Sequence, residues 1–212
     1  MPQSISKYKL YLYFFFFIFL SSIFNFQFLE NFNDKFRLDK INIYGLPHKE
    51  KKLVESELIE LKNLNIFNLS EDIIFGKLNK FNFLENIYIN KIIPTSININ
   101  LSKTTIIGKT YRKGENFYIG KNGKFILFNQ LTDVNRVPKV FGNFEIQKYI
   151  DLRTILRDHL IDIDKIQEYY YFKNKRWDLK FSNGSVLKLP SKKVEDSIII
   201  YKSLLNNGEL IN

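Results

Sequence analysis

A stretch of twenty residues without a charged side chain, from Leu10 to Leu29, separates a short N-terminal tail from a long and highly charged remainder. At about 1.5 Å rise per residue, a helix of this length is about 30 Å long, which is the thickness of a bilayer hydrocarbon core. The stretch therefore predicts a transmembrane helix at residues 10–29 that tethers one large extramembrane part.

A cleaved secretory signal is the alternative interpretation of this stretch. Such a signal has a basic start, an apolar core of about 7 to 15 residues and a cleavage site between small residues. Lys7 and Lys9 supply the basic start, but no such cleavage site follows the four phenylalanines at 14–17. We therefore expect a retained anchor, with cleavage or a buried core helix as the alternatives.

The charges that flank the stretch decide its orientation only weakly. Lys7 and Lys9 favour a cytoplasmic N-terminus, whereas Lys35, Arg37 and Lys40 lie close to the other end. Because the basic residues on the two sides nearly balance, the flanking charges give the N-in orientation a small preference.

The composition limits the classes of partner and of chemistry. Lysine and arginine number 32 against 22 acidic residues, for a net charge of +10, but the basic residues are scattered and form no basic run. A nucleic-acid site normally shows such a run, so we expect no nucleic-acid partner. The chain has no cysteine, which excludes disulfides, thiolate zinc sites and cysteine nucleophiles.

The residues from 38 to 102 show the pattern of a small α+β unit. A strand at 38–44 precedes an amphipathic helix at 48–61, and a second helix follows the capping residue Ser70. Alternating apolar residues on both sides of Pro94 then predict a hairpin. The order β-α-α-β-β predicts a three-stranded sheet with two helices on its apolar face.

The remainder of the chain has the pattern of a second, strand-rich unit. Its strands are separated by two Asn-Gly turns, and the segment from Val137 to Gly142 interrupts the strand pattern. We predict strands at 106–112, 116–119, 125–128, 166–172, 177–181 and 186–189, with helices at 144–157 and 192–206.

Five short strings recur in a fixed order behind the anchor. They are INIYG at 41–45, LENIYINKIIPTSININL at 84–101, FYIGKNGKF at 117–125, VPKVFG at 137–142 and RWDLKFSNGSVLKLP at 176–190. Each is weak alone, but together they resemble the FtsQ/DivIB family of bacterial cell-division proteins.

The resemblance implies a fold and a division into segments. The fold class is α+β, with a single N-terminal transmembrane helix, a POTRA domain and a mixed or antiparallel β domain that ends in a helix. The implied segments are a cytoplasmic tail at 1–9, the transmembrane helix at 10–29, a linker at 30–37, the POTRA domain at 38–103 and the β domain at 104–212.

Two stretches depart from the family pattern. Between Ser102 and Ile107 the chain lacks the Glu and the Pro-x-Ala that the family carries at the interdomain hinge. Family members also continue past the C-terminal helix into a strand that docks the partner FtsB, whereas this sequence ends at Asn212. We therefore expect either a truncated copy or partner binding at a different edge.

The resemblance implies a non-catalytic scaffold that links early and late division proteins through strand edges in the periplasm. It implies partners of the FtsB and FtsL type at the β domain and of the FtsK type near the POTRA domain and the anchor. The location implied is the inner membrane at the division septum, with a cytoplasmic N-terminus. The alternatives are a POTRA-bearing envelope assembly or transport component and a membrane-anchored envelope hydrolase.

The side chains that could carry catalysis are few. His48 and His159 are the only histidines, and both are placed at helix ends, where capping is the simpler role. The acidic pairs at 55–57 and 162–164 lack the spacing of metal ligands. We therefore predict no catalytic residue, no metal, no cofactor and no small-molecule substrate.

Partner contacts are predicted near the Trp177 strand. Trp177 has the alternating neighbours of a core residue, with an interface anchor as the alternative. The three consecutive tyrosines at 169–171 must place rings on both faces of a strand, so at least one ring is exposed. We predict Tyr169, Tyr171, Lys175, Arg176 and Trp177 as partner-binding residues, the two cations suiting an acidic segment.

Overall fold

A computed structural model describes residues 7–23, 34–132, 134 and 136–206. The structure is an α+β fold with two separate sheets. The helices are α1 (Lys7–Ile23), α2 (His48–Leu58), α3 (Glu71–Leu78), α4 (Ile146–Asp158) and α5 (Val194–Asn206). The strands are β1 (Lys40–Tyr44), β2 (Leu84–Ile92), β3 (Ser96–Lys103), β4 (Ile106–Arg112), β5 (Glu115–Gly120), β6 (Phe125–Leu127), β7 (Lys139–Phe141), β8 (Ile166–Tyr171), β9 (Trp177–Phe181) and β10 (Val186–Leu189).

The small sheet contains β1, β3 and β2 in that order. β1 is parallel to β3, and β2 is antiparallel to β3, as the predicted hairpin requires. Apolar residues of α2 and α3 pack on one face of this sheet, and both predicted helices are confirmed. Ser70 precedes α3 as predicted, but its side chain makes no capping hydrogen bond. The core of this sheet includes Val54, Leu58, Ile74, Leu78, Ile97 and Ile99.

The large sheet contains seven strands in the order β10-β9-β8-β7-β4-β5-β6. β4, β5 and β6 form one antiparallel meander, and β8, β9 and β10 form another. β7 lies between the two meanders and is parallel to both neighbours. Because β7, α4 and β8 follow one another along the chain, they form a β-α-β crossover, the usual connection between parallel strands.

The expectation that residues 137–142 interrupt the strand pattern is wrong for their central part. Lys139–Phe141 forms β7, and its three residues pair with β8 from Lys139↔Glu168 to Phe141↔Tyr170. A three-residue strand between Pro138 and Gly142 is too short to show alternation, and its flanking residues are turn signals.

A cluster of aromatic rings forms the centre of the large sheet's core. Tyr149 of α4 and Tyr169 of β8 are fully buried, with their ring centroids 5.0 Å apart in an edge-to-face arrangement. Phe144 and Trp177 pack against the same Tyr149 ring at 6.0 and 6.1 Å. The Tyr149 hydroxyl donates a hydrogen bond of 2.8 Å to the Ile107 carbonyl, which connects α4 to β4. The burial of Tyr149 therefore leaves no polar atom unpaired.

The two sheets are joined by a connection of only two residues, Thr104 and Thr105. Thr104 is buried, and its hydroxyl accepts a hydrogen bond from the Asn122 backbone N–H at 3.1 Å. The Asn122 amide donates to the Leu84 carbonyl, and the Asn82 amide donates in return to the Phe125 carbonyl at 2.8 Å. These bonds link the turn after β5 to Thr104 and to the start of β2. They therefore fix the position of the short connection between the two sheets, which is the stretch that departs from the family pattern.

A buried carboxylate makes a second contact between the sheets. Glu50 of α2 is fully buried and accepts hydrogen bonds from the Thr132 backbone N–H at 3.2 Å and from its hydroxyl at 3.3 Å. The Lys103 ammonium lies 3.5 Å from the same carboxylate. Burial opposes ionisation, but backbone N–H groups of Glu50 and Thr132 together with Lys103 outweigh it and lower the pKa of Glu50.

The substitution Glu50→Gln tests this contact. We expect it to lower the free energy of unfolding by about 1 to 3 kcal/mol at pH 7, because hydrogen bonds to a buried charge are lost. A carboxyl with a lowered pKa stabilises the fold above its ordinary value of 4.5, and that contribution is lost as pH falls through the folded value. Urea unfolding should therefore show that the difference in unfolding free energy between the wild type and Glu50→Gln becomes smaller as the pH falls below 4.5.

Glu55→Gln is the matched control, because Glu55 lies on the same helix and is half-exposed in a 3.7 Å ion pair with Lys51. We expect this change to alter the unfolding free energy by less than about 0.5 kcal/mol. Equal costs for the two substitutions would contradict a stabilising role for the buried Glu50 carboxylate.

Candidate partner-binding surface

The five residues predicted to contact a partner lie on β8, on β9 and in the turn between them. Tyr169 is fully buried and Trp177 is 5% exposed. Their rings belong to the aromatic core, and the Tyr169 ring has no exposed surface in this structure. Trp177 takes the core role that the alternation of its strand indicated. Burial of the apolar rings accounts for both placements.

Three of the five predicted residues, Tyr171, Lys175 and Trp177, line one shallow groove. The groove has a volume of about 210 Å³ and lies between α4, the β8–β9 turn and the start of α5. The half-buried Tyr171 ring packs on Trp177 with centroids 4.7 Å apart. Lys175 is exposed at a left-handed turn position, with φ of 64°. Lys148 and Asp151 of α4 and Ser191 give the groove its further polar groups.

Arg176 lies in an ion pair. Its Nε lies 2.9 Å from Oδ1 of Asp178, and its Nη2 donates to Oδ2 at 3.2 Å. Asp178 is 6% exposed, and the guanidinium also stacks over the Phe172 ring at 4.9 Å. Arg176 therefore compensates a buried charge, whereas Lys175 carries the more accessible of the two predicted cations.

The outer edge of β10 is one end of the large sheet. The Phe181 N–H donates to the Ser185 carbonyl at 2.9 Å, and hydrogen-bonded and non-bonded pairs alternate along an antiparallel ladder. Val186 and Lys188 therefore occupy non-bonded positions opposite β9. Their main-chain N–H and C=O groups point away from the sheet, as in an edge strand that can accept another strand.

The opposite edge of the large sheet, β6, lies at the contact between the two sheets. The Phe125 carbonyl accepts the hydrogen bond from Asn82, and Ile126 is buried in the core of the small sheet. Of the two ends of the large sheet, β10 is thus the one that is not engaged by the small sheet in the part of the chain that the structure describes.

The two histidines and the acidic pairs are not gathered into one site. His159 follows the end of α4, and its Nε2 lies 3.0 Å from the carboxylate of Glu195 in the first turn of α5. His48 is the first residue of α2. Across residues 7–23, 34–132 and the described remainder, no three His, Asp or Glu side chains are grouped so that they could hold a metal ion.

The predicted membrane anchor coincides in part with α1. Every side chain from Lys7 to Ser21 is exposed, and the segment 24–29 of the prediction lies outside the described residues. Within the described ranges, none of the helices is both long enough and apolar enough to cross a membrane.

Several known proteins are similar in sequence to this chain along most of its length. The chain is 24% identical to the cell division protein FtsQ of Rickettsia bellii over 186 residues and 22% identical to FtsQ of Rickettsia typhi over 177 residues. FtsQ of Rickettsia prowazekii is 23% identical over 187 residues. Each match covers 84% of this chain and 66% of the relative, just under two thirds of its length.

These matches confirm the resemblance to FtsQ that the five ordered strings indicated. No protein-family model matches the chain. The extracytoplasmic domain of DivIB from Geobacillus stearothermophilus aligns with a TM-score of 0.30 and 14% identity, over 52% of this chain and 99% of that domain.

The sequence patterns did not point to Val186 and Lys188 as edge residues. The signal that could have found them is the Asn183-Gly184 turn, because the left-handed Gly184 at φ of 88° fixes the register of β9 and β10. The position of β10 at the end of the sheet depends on strands far away in the sequence.

Arg176→Ala tests whether Arg176 has a structural role. We expect a loss of about 1 to 3 kcal/mol in unfolding free energy, because the buried Asp178 carboxylate loses its cation. Denaturant unfolding at pH 7 measures the loss. Lys175→Ala is the neighbouring control and should change stability by less than about 0.5 kcal/mol.

The double variant Arg176→Ala/Asp178→Asn distinguishes an uncompensated charge from lost packing. It should recover part of the stability that Arg176→Ala loses, because the buried site is then neutral. No recovery would mean that stacking on Phe172 is the main contribution of Arg176.

Proposed function

We propose that this chain is a non-catalytic scaffold of bacterial cell division that binds other division proteins by strand addition at β10. Three relatives from Rickettsia carry the name cell division protein FtsQ, which supports the process. The observation that supports the mechanism is the outward direction of the main-chain groups of Val186 and Lys188.

Strand addition suits the local structure of this edge. An extended partner segment gains main-chain hydrogen bonds from β10, while alternate side chains of the segment meet pockets on each face. Leu187 and Leu189 pack on the core side, and Val186 is exposed beside them. The β10 edge thereby offers both hydrogen bonds and an apolar contact.

The partner segment that we propose is acidic. Lys188 on the edge strand and Lys175 near it are exposed cations. Complementary charge of this kind raises the association rate and discriminates against wrong partners. Partners of the FtsB and FtsL type are proposed for this edge, and FtsK-type proteins for the small sheet and the anchor, on the strength of the family resemblance.

Lys188→Pro tests the β10 edge, because proline removes an N–H that points outward and leaves the bonds to β9 in place. We expect the variant to lose at least tenfold in affinity for purified FtsB- and FtsL-type proteins of the same organism, measured by pull-down and calorimetry. Lys188→Ala keeps the N–H and should lose less than threefold. Equal affinity of wild type and Lys188→Pro would reject strand addition at β10.

We further propose that residues 10–29 anchor the chain in the cytoplasmic membrane, with the N-terminus inside and the sheets in the periplasm. The support is the uncharged stretch itself and the exposure of its phenylalanines along α1. A helix that is apolar all round needs an apolar environment, which a bilayer provides.

Phe16→Arg tests the anchor, since arginine at the centre of a membrane helix costs about 2.5 to 3.5 kcal/mol on insertion scales. We expect the full chain to fractionate with membranes, and a periplasm-dependent reporter at its C-terminus to be active. Phe16→Arg should reduce both signals. Tyr8→Arg adds the same charge outside the stretch and should leave them unchanged, and equal behaviour of the two variants would argue against an anchor.

A further inference from the structure

The large sheet contains a gap one strand wide next to β7. Lys139 begins β7 and pairs with Lys109 of β4 and Glu168 of β8. Upstream of that level β4 extends back to Ile106 and β8 back to Ile166, whereas β7 does not extend with them. The segment before β7 still contacts β4 at one point, where the Pro138 carbonyl accepts a hydrogen bond from the Lys109 N–H at 2.9 Å. Since neighbouring strands lie about 4.8 Å apart, β4 and β8 are separated by about 10 Å here.

A cavity of about 660 Å³ lies at this gap. It is lined by main chain and side chains of both flanking strands, by the segment before β7 and by Arg153 of α4. The cavity is large enough for a small ligand, within the range of about 300 to 1,000 Å³ that ligand pockets have.

Both flanking strands are irregular at the level of the gap. The pairing of β4 with β5 shifts between Ile106 and Gly108, and the pairing of β8 with β9 shifts between Ile166 and Glu168. Bulges of this type re-aim side chains and occur next to functional sites. Two of them on opposite walls of one cavity distinguish this gap from an ordinary strand end.

Arg153 is held at the gap by two buried phenols. Its Nη1 lies 3.4 Å from the hydroxyl oxygens of both Tyr149 and Tyr169, and these are long contacts that leave its other N–H donors free to bind. Burial raises the pKa of Tyr169 to about 12, so this phenol stays neutral. Among the described residues, no carboxylate lies within 4.0 Å of the Arg153 guanidinium.

The charged groups that line the cavity are mainly basic. Two lining carboxylates, Asp164 and Glu168, oppose four lining cations. Glu168 is engaged by the Tyr170 hydroxyl at 2.6 Å and by Lys180 at 3.3 Å, so it does not neutralise Arg153. The lining cations are Lys109, Arg136, Lys139 and Arg153.

We propose that this gap is an oxyanion-binding site in which Arg153 binds a carboxylate or a phosphate group. The planar guanidinium matches either group with two parallel hydrogen bonds. The oxyanion belongs either to a small free anion or to the terminal carboxylate of an extended peptide, which would lie in the place of the absent strand. Either source uses the same Arg153 contact.

Titration of the full-length chain in detergent micelles tests the site. The probes are inorganic phosphate and the tripeptide acetyl-Val-Thr-Val with a free carboxylate, each followed by calorimetry at pH 7. We expect at least one probe to bind with a dissociation constant below about 10 mM, which corresponds to a binding free energy of about −2.7 kcal/mol or more favourable. Binding of phosphate alone assigns a small anion, and binding of the peptide acid but not its amide assigns a chain terminus.

Arg153→Gln should lower the affinity for whichever probe binds the wild type by about tenfold or more, because charge-assisted bidentate hydrogen bonds are lost. Arg153→Lys keeps the charge but not the planar fork and should be intermediate. Arg157→Gln, an exposed position one turn along α4, should bind as the wild type does.

Asp164→Asn tests the sign of the charge at the site in the opposite direction. Asp164 lines the cavity and is exposed, so its removal should tighten binding of the same probe two- to fivefold through reduced repulsion. Failure of both probes to bind the wild-type chain would overturn the proposal. Equal binding by the wild type and Arg153→Gln would overturn it as well.

Discussion

The two antiparallel halves of the large sheet are connected, within the described residues, through the three-residue strand β7 and the helix α4 that follows it. A strand this short contributes few ladder bonds, so the join also depends on packing beneath it. The Tyr149 hydroxyl supplies that support by its bond to the Ile107 carbonyl, and Gly108 leaves room for it, since a Cβ there would lie 2.9 Å from the hydroxyl oxygen.

Contacts with the small sheet decide which edge of the large sheet keeps unpaired main-chain groups. β6 lies against the small sheet through Asn82 and Ile126, whereas β10 lies at the far end. The buried Glu50 carboxylate and the Asn122 turn hold the two sheets together by polar contacts.

Much of the fold was predictable from local patterns. The helix at 48–61, the hairpin at Pro94 and the strands around both Asn-Gly turns follow from residue spacing and turn chemistry. β7 was not predictable, because its Lys-Val-Phe sequence shows no alternation and its partners come from β4 and β8. The sequence could not tell how the five residues predicted to bind a partner are arranged. Tyr171, Lys175 and Trp177 line one groove, whereas Tyr169 lies in the core and Arg176 is paired with Asp178.

The sequence alone determined the resemblance to FtsQ, the number and kind of most elements, and the uncharged stretch at 10–29, because each depends on residues that are close together in the chain. Only the tertiary structure decided that β10 is the edge away from the small sheet, that Arg153 lines a cavity with residues of β4 and β8, and that Glu50 of α2 is buried against Thr132. These three features depend on contacts between residues far apart in sequence, and the periodicity of one segment carries no information about what another segment places beside it.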